Sequence, residues 1–291
     1  MTNTRLTIAK PDIIKLFDDL PIKVLKKPDL EKILFENRRF WRITKSTTTE
    51  KFIDFLLSKT KLKKVKLEFP YRALISYTWG DASIYELSMS AKRDSYFTHY
   101  TAMYIHELTE QIPNTIYVNY EQRRKGHNET RLIQDNIDKA FQRQARVSKN
   151  IAFYKDKRIC LLNGMHTGKL GVEEIEGFEG ERIHVTNVER TLIDITVRPM
   201  YSGGIFEVLK AYRLAKENVS INKLVSFLKK LNYVYPYHQA VGFYLERAGV
   251  YRDSLVALLL NIDMKYDFYL DHQMKEMTYS KKWRLFFPKG L

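Results

Sequence analysis

The sequence predicts a mixed α/β fold, in the α+β arrangement, for a chain of 291 residues. Hydrophobic residues make up 44% of it, which is ordinary for a globular protein and sufficient for a buried core. Segments with apolar residues at helical spacing alternate with segments of period-two alternation. Two domains are expected, over 1–93 and 94–291, because the pattern of elements and the charge both change near residue 93.

Three helices are predicted at the start of the chain. Residues 13–20 and 30–37 carry apolar side chains at helical spacing, and residues 46–60 form the third helical segment. Thr47 and Glu50 have the spacing of a capping box, in which each side chain satisfies a free backbone donor of the first turn. The third helix is therefore expected to begin at Thr47.

Strands are predicted to follow these helices. Residues 64–69 alternate with period two, which indicates a half-buried strand that Pro70 interrupts. Residues 72–79 and 82–89 are predicted as two further strands, joined by a tight turn at Gly80-Asp81.

Three helices followed by a strand hairpin is the order of a winged helix-turn-helix. In that fold the third helix enters the DNA major groove and the hairpin lies along the phosphates. Helix capping and surface solvation are the alternative interpretation, but they leave five lysines within residues 59–66 unexplained. The residues predicted to contact DNA in this domain are Lys45, Ser46, Thr47, Thr48, Thr49, Lys51, Lys59, Lys61, Lys63, Lys64, Lys66 and Arg72.

The charge of the chain favours an anionic partner. The formal net charge is +15, from 49 basic and 34 acidic residues, and residues 1–93 alone hold 20 basic and 11 acidic ones. Such a field favours nucleic acid, although a solvated lysine-rich surface is the alternative. A second basic stretch is predicted to extend the DNA footprint through Arg123, Arg124, Lys125, Arg143 and Arg146.

The second domain is predicted from the same periodicities. Cys160 lies in an apolar run and is expected to be a buried small hydrophobe, while the segment MHTGKLG (165–171) lacks the spacing of a nucleotide-binding P-loop. His99 and His106 have no third ligand at metal spacing, so they are interpreted as core or surface histidines. Helices are expected over 94–109, 135–148, 220–231, 235–249 and 254–262, the last buried on all sides, and strands over 115–119, 266–270 and 283–287, the last two paired.

The segment HVTNVERTLIDITVRPMYSGG (184–204) poses the choice between a catalytic cluster and a structural helix. Thr186 and Glu189 again have capping-box spacing. Arg190, Asp194 and Arg198 fall on one helical face, where exposed pairs contribute about 0.2–0.5 kcal/mol each. Capping accounts for Glu189, and we expect no other carboxylate or histidine within reach of Asp194 for acid–base chemistry, so we interpret the charges as structural. The helix is expected to end at Pro199.

This segment, together with residues 95–119, 235–249 and 266–291, resembles the AbiEi family of antitoxins, the regulator half of the AbiE toxin–antitoxin systems. The resemblance implies an N-terminal winged helix that represses its own operon. It also implies an α/β C-terminal domain that assists repression and counteracts a nucleotidyltransferase toxin in phage defence. The toxin's own GSxxxxD-type motif is absent from this sequence. The residues that match the family signature, carried over as structural, are Glu189, Arg190, Thr191, Leu192, Asp194, Arg198 and Pro199.

The leading hypothesis is therefore a cytoplasmic, non-enzymatic DNA-binding antitoxin without metal or cofactor. Its expected partners are the double-stranded DNA of its own operator and a cognate toxin, contacted directly or indirectly, with no membrane and with possible pairing on DNA. One alternative is a metal-dependent nuclease of a defence locus, for which Asp267 and Asp271 could begin a site. The other is a DNA-independent toxin-binding protein.

Overall fold

The computed structural model describes residues 4–124 and 132–291. The helices within these residues are α1 (Arg5–Asp18), α2 (Lys27–Asn37), α3 (Thr49–Lys59), α4 (Ile84–Ser90), α5 (His99–Ile105), α6 (Gln134–Gln142), α7 (Val188–Val197), α8 (Ile205–Leu214), α9 (Ile221–Leu231), α10 (Tyr237–Ala248) and α11 (Asp253–Leu260). The strands are β1 (Val24–Leu25), β2 (Leu62–Phe69), β3 (Arg72–Trp79), β4 (Tyr96–Phe97), β5 (Thr115–Glu121), β6 (Ile151–Tyr154), β7 (Lys157–Gly164), β8 (Val172–Glu176), β9 (Arg182–Thr186), β10 (Phe268–Tyr269), β11 (Met277–Ser280) and β12 (Leu285–Pro288). The arrangement is mixed α/β, as predicted.

Helices α1, α2 and α3 pack on a small antiparallel sheet of order β1-β3-β2. Strands β2 and β3 form a hairpin whose turn is Pro70-Tyr71, with Phe69 opposite Arg72. Apolar side chains from the three helices and the sheet form one core cluster, which includes the fully buried Phe17 and Phe52. The first three helices and the strands over 64–69 and 72–79 are confirmed.

The predicted strand over 82–89 is wrong. These residues form α4, and the hydroxyl of Ser83 accepts a hydrogen bond from the Glu86 backbone N–H at its N-terminus. The Glu86 carboxylate in turn accepts from the backbone N–H groups of Lys23 and Val24. Alternating burial in a short segment fits a helix and a strand alike, and here the serine cap and the partners of Glu86 favour the helix.

Both predicted capping boxes are also wrong. Helix α3 is capped by Thr48, whose hydroxyl accepts from the Lys51 N–H, and not by Thr47. Helix α7 is capped by the Asn187 side chain, since Thr186 is the last residue of β9. In each case two cap-competent residues stand side by side, and the path of the preceding chain decides which one is the last residue before the helix.

The second part of the chain is built on a six-stranded mixed sheet of order β6-β7-β5-β4-β9-β8. Strands β5 and β7 run parallel to each other, as do β4 and β9. Helices α7 to α11 form a large apolar cluster that also includes the fully buried Trp283. The predicted pairing of the last strands is confirmed, since β10 and β12 run parallel with Phe268 opposite Leu285.

Three expectations for the second part are corrected. The helix expected over 94–109 is divided into strand β4 and the short helix α5, since Thr98 is extended and starts the helix at His99. Helix α6 ends at Gln142, because Arg143 is extended. Helix α11 is not buried on all sides, because only Val256 and Leu259 are buried in it. The helices over 220–231 and 235–249, the strand over 115–119 and the burial of Cys160 are confirmed.

A third apolar cluster joins the two parts of the chain. It brings Leu67 and Phe69 of β2 together with Val118 of β5, Ile159 of β7 and Val185 of β9. The boundary near residue 93 stays a prediction, and the packing across it is continuous. Within 4–124 and 132–291, no helix has the length and apolar character needed to cross a membrane.

Candidate functional site

The first candidate site is the exposed side of α3 and the segment before it. Lys51 and Ser58 lie on the exposed side of the helix, and Lys45 and Ser46 are exposed in the preceding loop. The guanidinium group of Arg38 donates to the carbonyl oxygens of Thr44 and Thr47, the second at 2.9 Å. These bonds fix the loop that leads into the helix.

The lysines of β2 are divided between the two sides of the strand. Successive side chains of a strand point to opposite faces. Leu62 belongs to the core under the three helices, so Lys64 and Lys66 lie on the helix side. Leu67 belongs to the cluster shared with the large sheet, so Lys63 lies on that other side.

Three of the predicted DNA-contacting lysines already have carboxylate partners. Lys61 lies 2.5 Å from Asp18, Lys63 lies 2.7 Å from Asp81, and Lys66 lies 2.5 Å from Glu68. The lysine lowers the pKa of the carboxyl in each pair, chiefly through the hydrogen bond between them. No ion pair within the described residues involves Lys45, Lys51, Lys59, Lys64 or Arg72.

The second basic stretch is divided by the fold. Arg123 and Arg124 line a cavity in the second part of the chain. Arg143 and Arg146 are exposed in the segment after α6 and do not line it. Lys125 lies outside the described residues.

That cavity is the second candidate site. Its volume is about 810 Å³, and it lies where β5 and β7 end, against α7 and the C-terminal end of α9. Arg190, Asp194 and Arg198 from the signature segment line it, together with Lys230. Helix α7 therefore forms part of the cavity wall.

Arg190 and Asp194 form a buried ion pair at this wall, and not an exposed one. Arg190 Nε lies 2.8 Å from Asp194 Oδ1, and the two side chains are 6% and 8% exposed. The Thr98 hydroxyl donates to the other Asp194 oxygen at 2.9 Å. Burial alone would lower the pKa of Arg190, but the Asp194 carboxylate raises it above its ordinary value, so the arginine stays charged.

The other signature residues have different roles. Arg198 is exposed, and its backbone N–H bonds to the Asp194 carbonyl oxygen at the end of α7. Pro199 is buried and begins a short 3₁₀ turn, so the predicted helix end is confirmed. Glu189 accepts from the backbone N–H of Ser220 at 2.9 Å and lies 3.1 Å from Lys223, which ties α7 to α9.

The loop MHTGKLG is anchored by a carboxylate of the protein itself. Glu121 accepts hydrogen bonds from the backbone N–H groups of Thr167, Gly168 and Lys169, at 2.9–3.0 Å. The backbone donors that a P-loop would present to phosphate are therefore used internally. The loop contributes His166 to the cavity wall instead.

The two histidines of the α5 region are both largely buried. His106 Nε2 lies 2.6 Å from the carbonyl oxygen of Thr186. His99 also lines the cavity, and its Nδ1 is buried without a hydrogen-bond partner among the described residues. Burial lowers the pKa of His99 to about 4, so the ring is neutral near pH 7.

Asp267 and Asp271, the start of a conceivable nuclease site, each have their own hydrogen-bond partners within the protein. The Asp267 carboxylate accepts from the Tyr279 hydroxyl at 2.7 Å and from Arg284 Nε at 2.9 Å. Asp271 accepts from the adjacent His272 N–H. The part of the chain that the structure describes contains no group of three or more histidine, cysteine or acidic side chains placed to hold a metal ion.

Comparison with known proteins defines the fold alone. No protein-family model matches the chain, and no curated protein matches its sequence. The chain is similar to the crystal structure of the RV2827C protein from Mycobacterium tuberculosis, with a TM-score of 0.59 at 12% identity, over 96% of this chain and 91% of that one. The shared architecture extends over almost the whole chain, but at this identity it does not transfer an activity.

Sequence reasoning missed several residues of both sites. Tyr71, 81% exposed at the tip of the β2-β3 hairpin, carries no local motif. Lys230 is one of two adjacent lysines on an amphipathic helix, and nothing nearby in sequence distinguishes it from Lys229. Asn119 and Asn163 line the cavity because β5 and β7 are neighbours, a pairing that the sequence did not predict.

Proposed function

We propose that the chain is a DNA-binding antitoxin that represses its own operon, and that residues 4–93 contain a winged helix-turn-helix. One observation carries the DNA-binding proposal. The elements follow in the order α1-β1-α2-α3-β2-β3, with the three strands arranged β1-β3-β2 and α3 packed beside β2. In a winged helix-turn-helix of this order, one helix would enter the major groove and the neighbouring hairpin would lie along the phosphates.

Helix α3 would read the base edges in this proposal. Its exposed side carries Lys51, Asp54 and Ser58, and the loop held by Arg38 presents Ser46 beside it. Lysine, serine and carboxylate side chains are among the groups that contact bases in the major groove.

The hairpin would hold the DNA backbone on its helix side. Lys64 and Lys66 lie on that side, and Tyr71 is exposed at the tip. The opposite side of the hairpin packs against the large sheet through Leu67 and Phe69, which supports the hairpin. Contacts to phosphates fix register and supply salt-dependent affinity.

The ion pairs of the wing lysines are compatible with this role. Exposed ion pairs contribute little to stability, so a phosphate can replace a carboxylate partner at small cost. Asp18, Asp81 and Glu68 would thus hold Lys61, Lys63 and Lys66 in place in the absence of DNA.

The antitoxin part of the proposal depends on the resemblance to the AbiEi family in the second part of the chain. The toxin partner would be the nucleotidyltransferase of the same operon. Pairing of two chains on a palindromic operator would suit a repressor of this type.

The test is binding of the full chain to the DNA upstream of its own gene, against scrambled DNA of equal length, at two salt concentrations. We expect preference for the upstream DNA and a steep loss of affinity with salt. Lys51→Ala with Ser58→Ala should reduce the preference, while Lys32→Ala, on the exposed side of α2, should not.

Absence of any preference for the upstream DNA would contradict autorepression. Co-purification with the toxin would then favour the DNA-independent toxin-binding protein. Cleavage of plasmid DNA that requires Mg²⁺ and is lost in Asp267→Asn would favour the nuclease.

A further inference from the structure

The cavity of the second part is strongly cationic. Its lining includes the cations of Arg123, Arg124, Arg190, Arg198 and Lys230 and a single carboxylate, that of Asp194. Asp194 is paired with Arg190, so the remaining four charges are not compensated within the described lining. A concave surface with charges of one sign concentrates the field and attracts anions.

The position of the cavity in the fold favours a ligand. It lies at the carboxyl ends of the parallel strands β5 and β7, the edge at which α/β sheets commonly bind ligands. Asn119 near the end of β5 and Asn163 near the end of β7 line it, and the Asn119 amide nitrogen also donates to the Tyr96 hydroxyl at 2.8 Å. A Cβ at Gly164 would lie 2.6 Å from the Asn119 oxygen, so glycine is required there for the asparagine to occupy this place.

One of the cations is held rigidly before any ligand binds. Arg190 donates through Nε to Asp194 at 2.8 Å and through Nη1 to the carbonyl oxygen of Leu170 at 2.8 Å. The residue is only 5% exposed. His99, which lines the same cavity, has a buried Nδ1 without a hydrogen-bond partner among the described residues. A guanidinium fixed at the cavity wall suits phosphate oxygens.

We propose that this cavity binds a nucleotide. The cations would hold the phosphates, and the amides of Asn119 and Asn163 would bond to the base or the ribose. The volume of about 810 Å³ is within the range of small-molecule sites, about 300–1,000 Å³, and is far larger than inorganic phosphate requires. The proposal goes beyond DNA binding by α3 and the hairpin and does not depend on it.

The experiment is calorimetric titration of the full chain with ATP and GTP, with the corresponding nucleosides, and with inorganic phosphate. We expect at least one nucleotide to bind at least tenfold more tightly than its nucleoside and than phosphate. The cavity variant Arg198→Ala with Lys230→Ala should weaken this binding at least tenfold. The control variant Arg143→Ala with Lys229→Ala removes the same charge from exposed positions outside the lining and should stay within twofold of the parent chain.

Three results would overturn the proposal. The first is no nucleotide binding by a chain with native circular dichroism. The second is an equal loss in the cavity and control variants, which would indicate attraction by net charge alone. The third is tightest binding of a duplex DNA that displaces the nucleotide, with the cavity variant losing both, which would make the cavity part of a DNA footprint. Nucleotide binding that persists in Lys51→Ala with Ser58→Ala distinguishes this site from the proposed DNA-binding surface.

Discussion

Basic residues of the hairpin and of the cavity form ion pairs with aspartates in opposite environments. Lys63 and Asp81 form their pair at the surface, with side chains 57% and 96% exposed. Arg190 and Asp194 form theirs with 6% and 8% exposed. An exposed pair exchanges partners readily, whereas a buried pair must stay intact because water cannot replace a lost partner. The hairpin is therefore suited to exchangeable contacts and the cavity wall to a fixed one.

The largest effect should come from breaking the buried pair. Asp194→Ala removes the partner of Arg190 and also leaves the Thr98 hydroxyl without its acceptor. We expect a loss of about 3–5 kcal/mol in the free energy of unfolding. Urea denaturation followed by circular dichroism measures it.

The matched control is Arg182→Ala, which breaks an exposed pair with Glu174 at 3.0 Å. Its expected cost is at most about 1 kcal/mol. Equal losses of unfolding free energy in the two variants would show that the buried pair contributes no more than the exposed pair.

The next largest effect is on the pH dependence of stability, and it contrasts the buried His99 with the accessible His184. Burial lowers the pKa of His99 to about 4 from its ordinary value of 6.5. The unfolded chain therefore binds this proton at higher pH than the folded chain, so acidification from pH 6.5 toward pH 4 favours unfolding. The free energy of unfolding should fall by about 3 kcal/mol near pH 4 because of this group, and the loss should vanish above pH 6.5.

His99→Gln should consequently flatten the decline of stability between pH 6.5 and pH 4, as measured by denaturant midpoints across that range. His184→Gln, which removes a histidine with a 43% exposed side chain, is the control and should retain the full decline. A parallel decline in parent and His99→Gln would mean that other groups account for it.

A smaller effect separates the two sides of the hairpin. Lys64 lies on the helix side without a carboxylate partner among the described residues, and Lys63 lies on the other side, paired with Asp81. Lys64→Ala should weaken binding to upstream DNA about tenfold near ~0.1 M salt and reduce the salt slope by about 0.9. Lys63→Ala should change both less. Fluorescence anisotropy over a salt series measures them, and the reverse order would contradict the assigned DNA-facing side.

The smallest effect tests the start of α3. Thr48→Ala removes the hydroxyl that accepts from the Lys51 N–H and should cost about 1 kcal/mol. Thr47→Ala, one residue earlier, should cost less, because its hydroxyl contacts Thr44 and caps no helix. A larger loss of stability in Thr47→Ala than in Thr48→Ala, measured by thermal denaturation, would indicate that Thr47 caps α3 as the sequence predicted.

The sequence predicted the elements with strong periodicity, and these are confirmed. Helix α9 has buried residues throughout one face and a serine cap, and both signals are local. The prediction of one helix over 94–109 was wrong because its apolar and aromatic residues suit a strand followed by a short helix equally well. The prediction of a strand over 82–89 was wrong for the same reason, since a short apolar run does not distinguish a strand from a helix.

A candidate site could be predicted from the sequence only where its residues lie close together along the chain. The lysines of β2 lie close together in sequence, so the basic surface could be predicted, but not which lysines face the helix side. The cavity brings together Arg123, Asn163, Arg190 and Lys230, which are far apart along the chain. No local pattern marks such a set.

The sequence by itself determined the net charge, the order of most elements, and the unit of Arg190 and Asp194, because helical spacing alone places residues four apart on one face. Only the tertiary structure decided that this unit is buried in a cavity wall, that Glu189 connects α7 to α9, and that Glu121 occupies the backbone donors of the loop after β7. The physical reason is that burial and partner choice depend on neighbours brought from distant parts of the chain, whereas spacing and charge are properties of each segment alone.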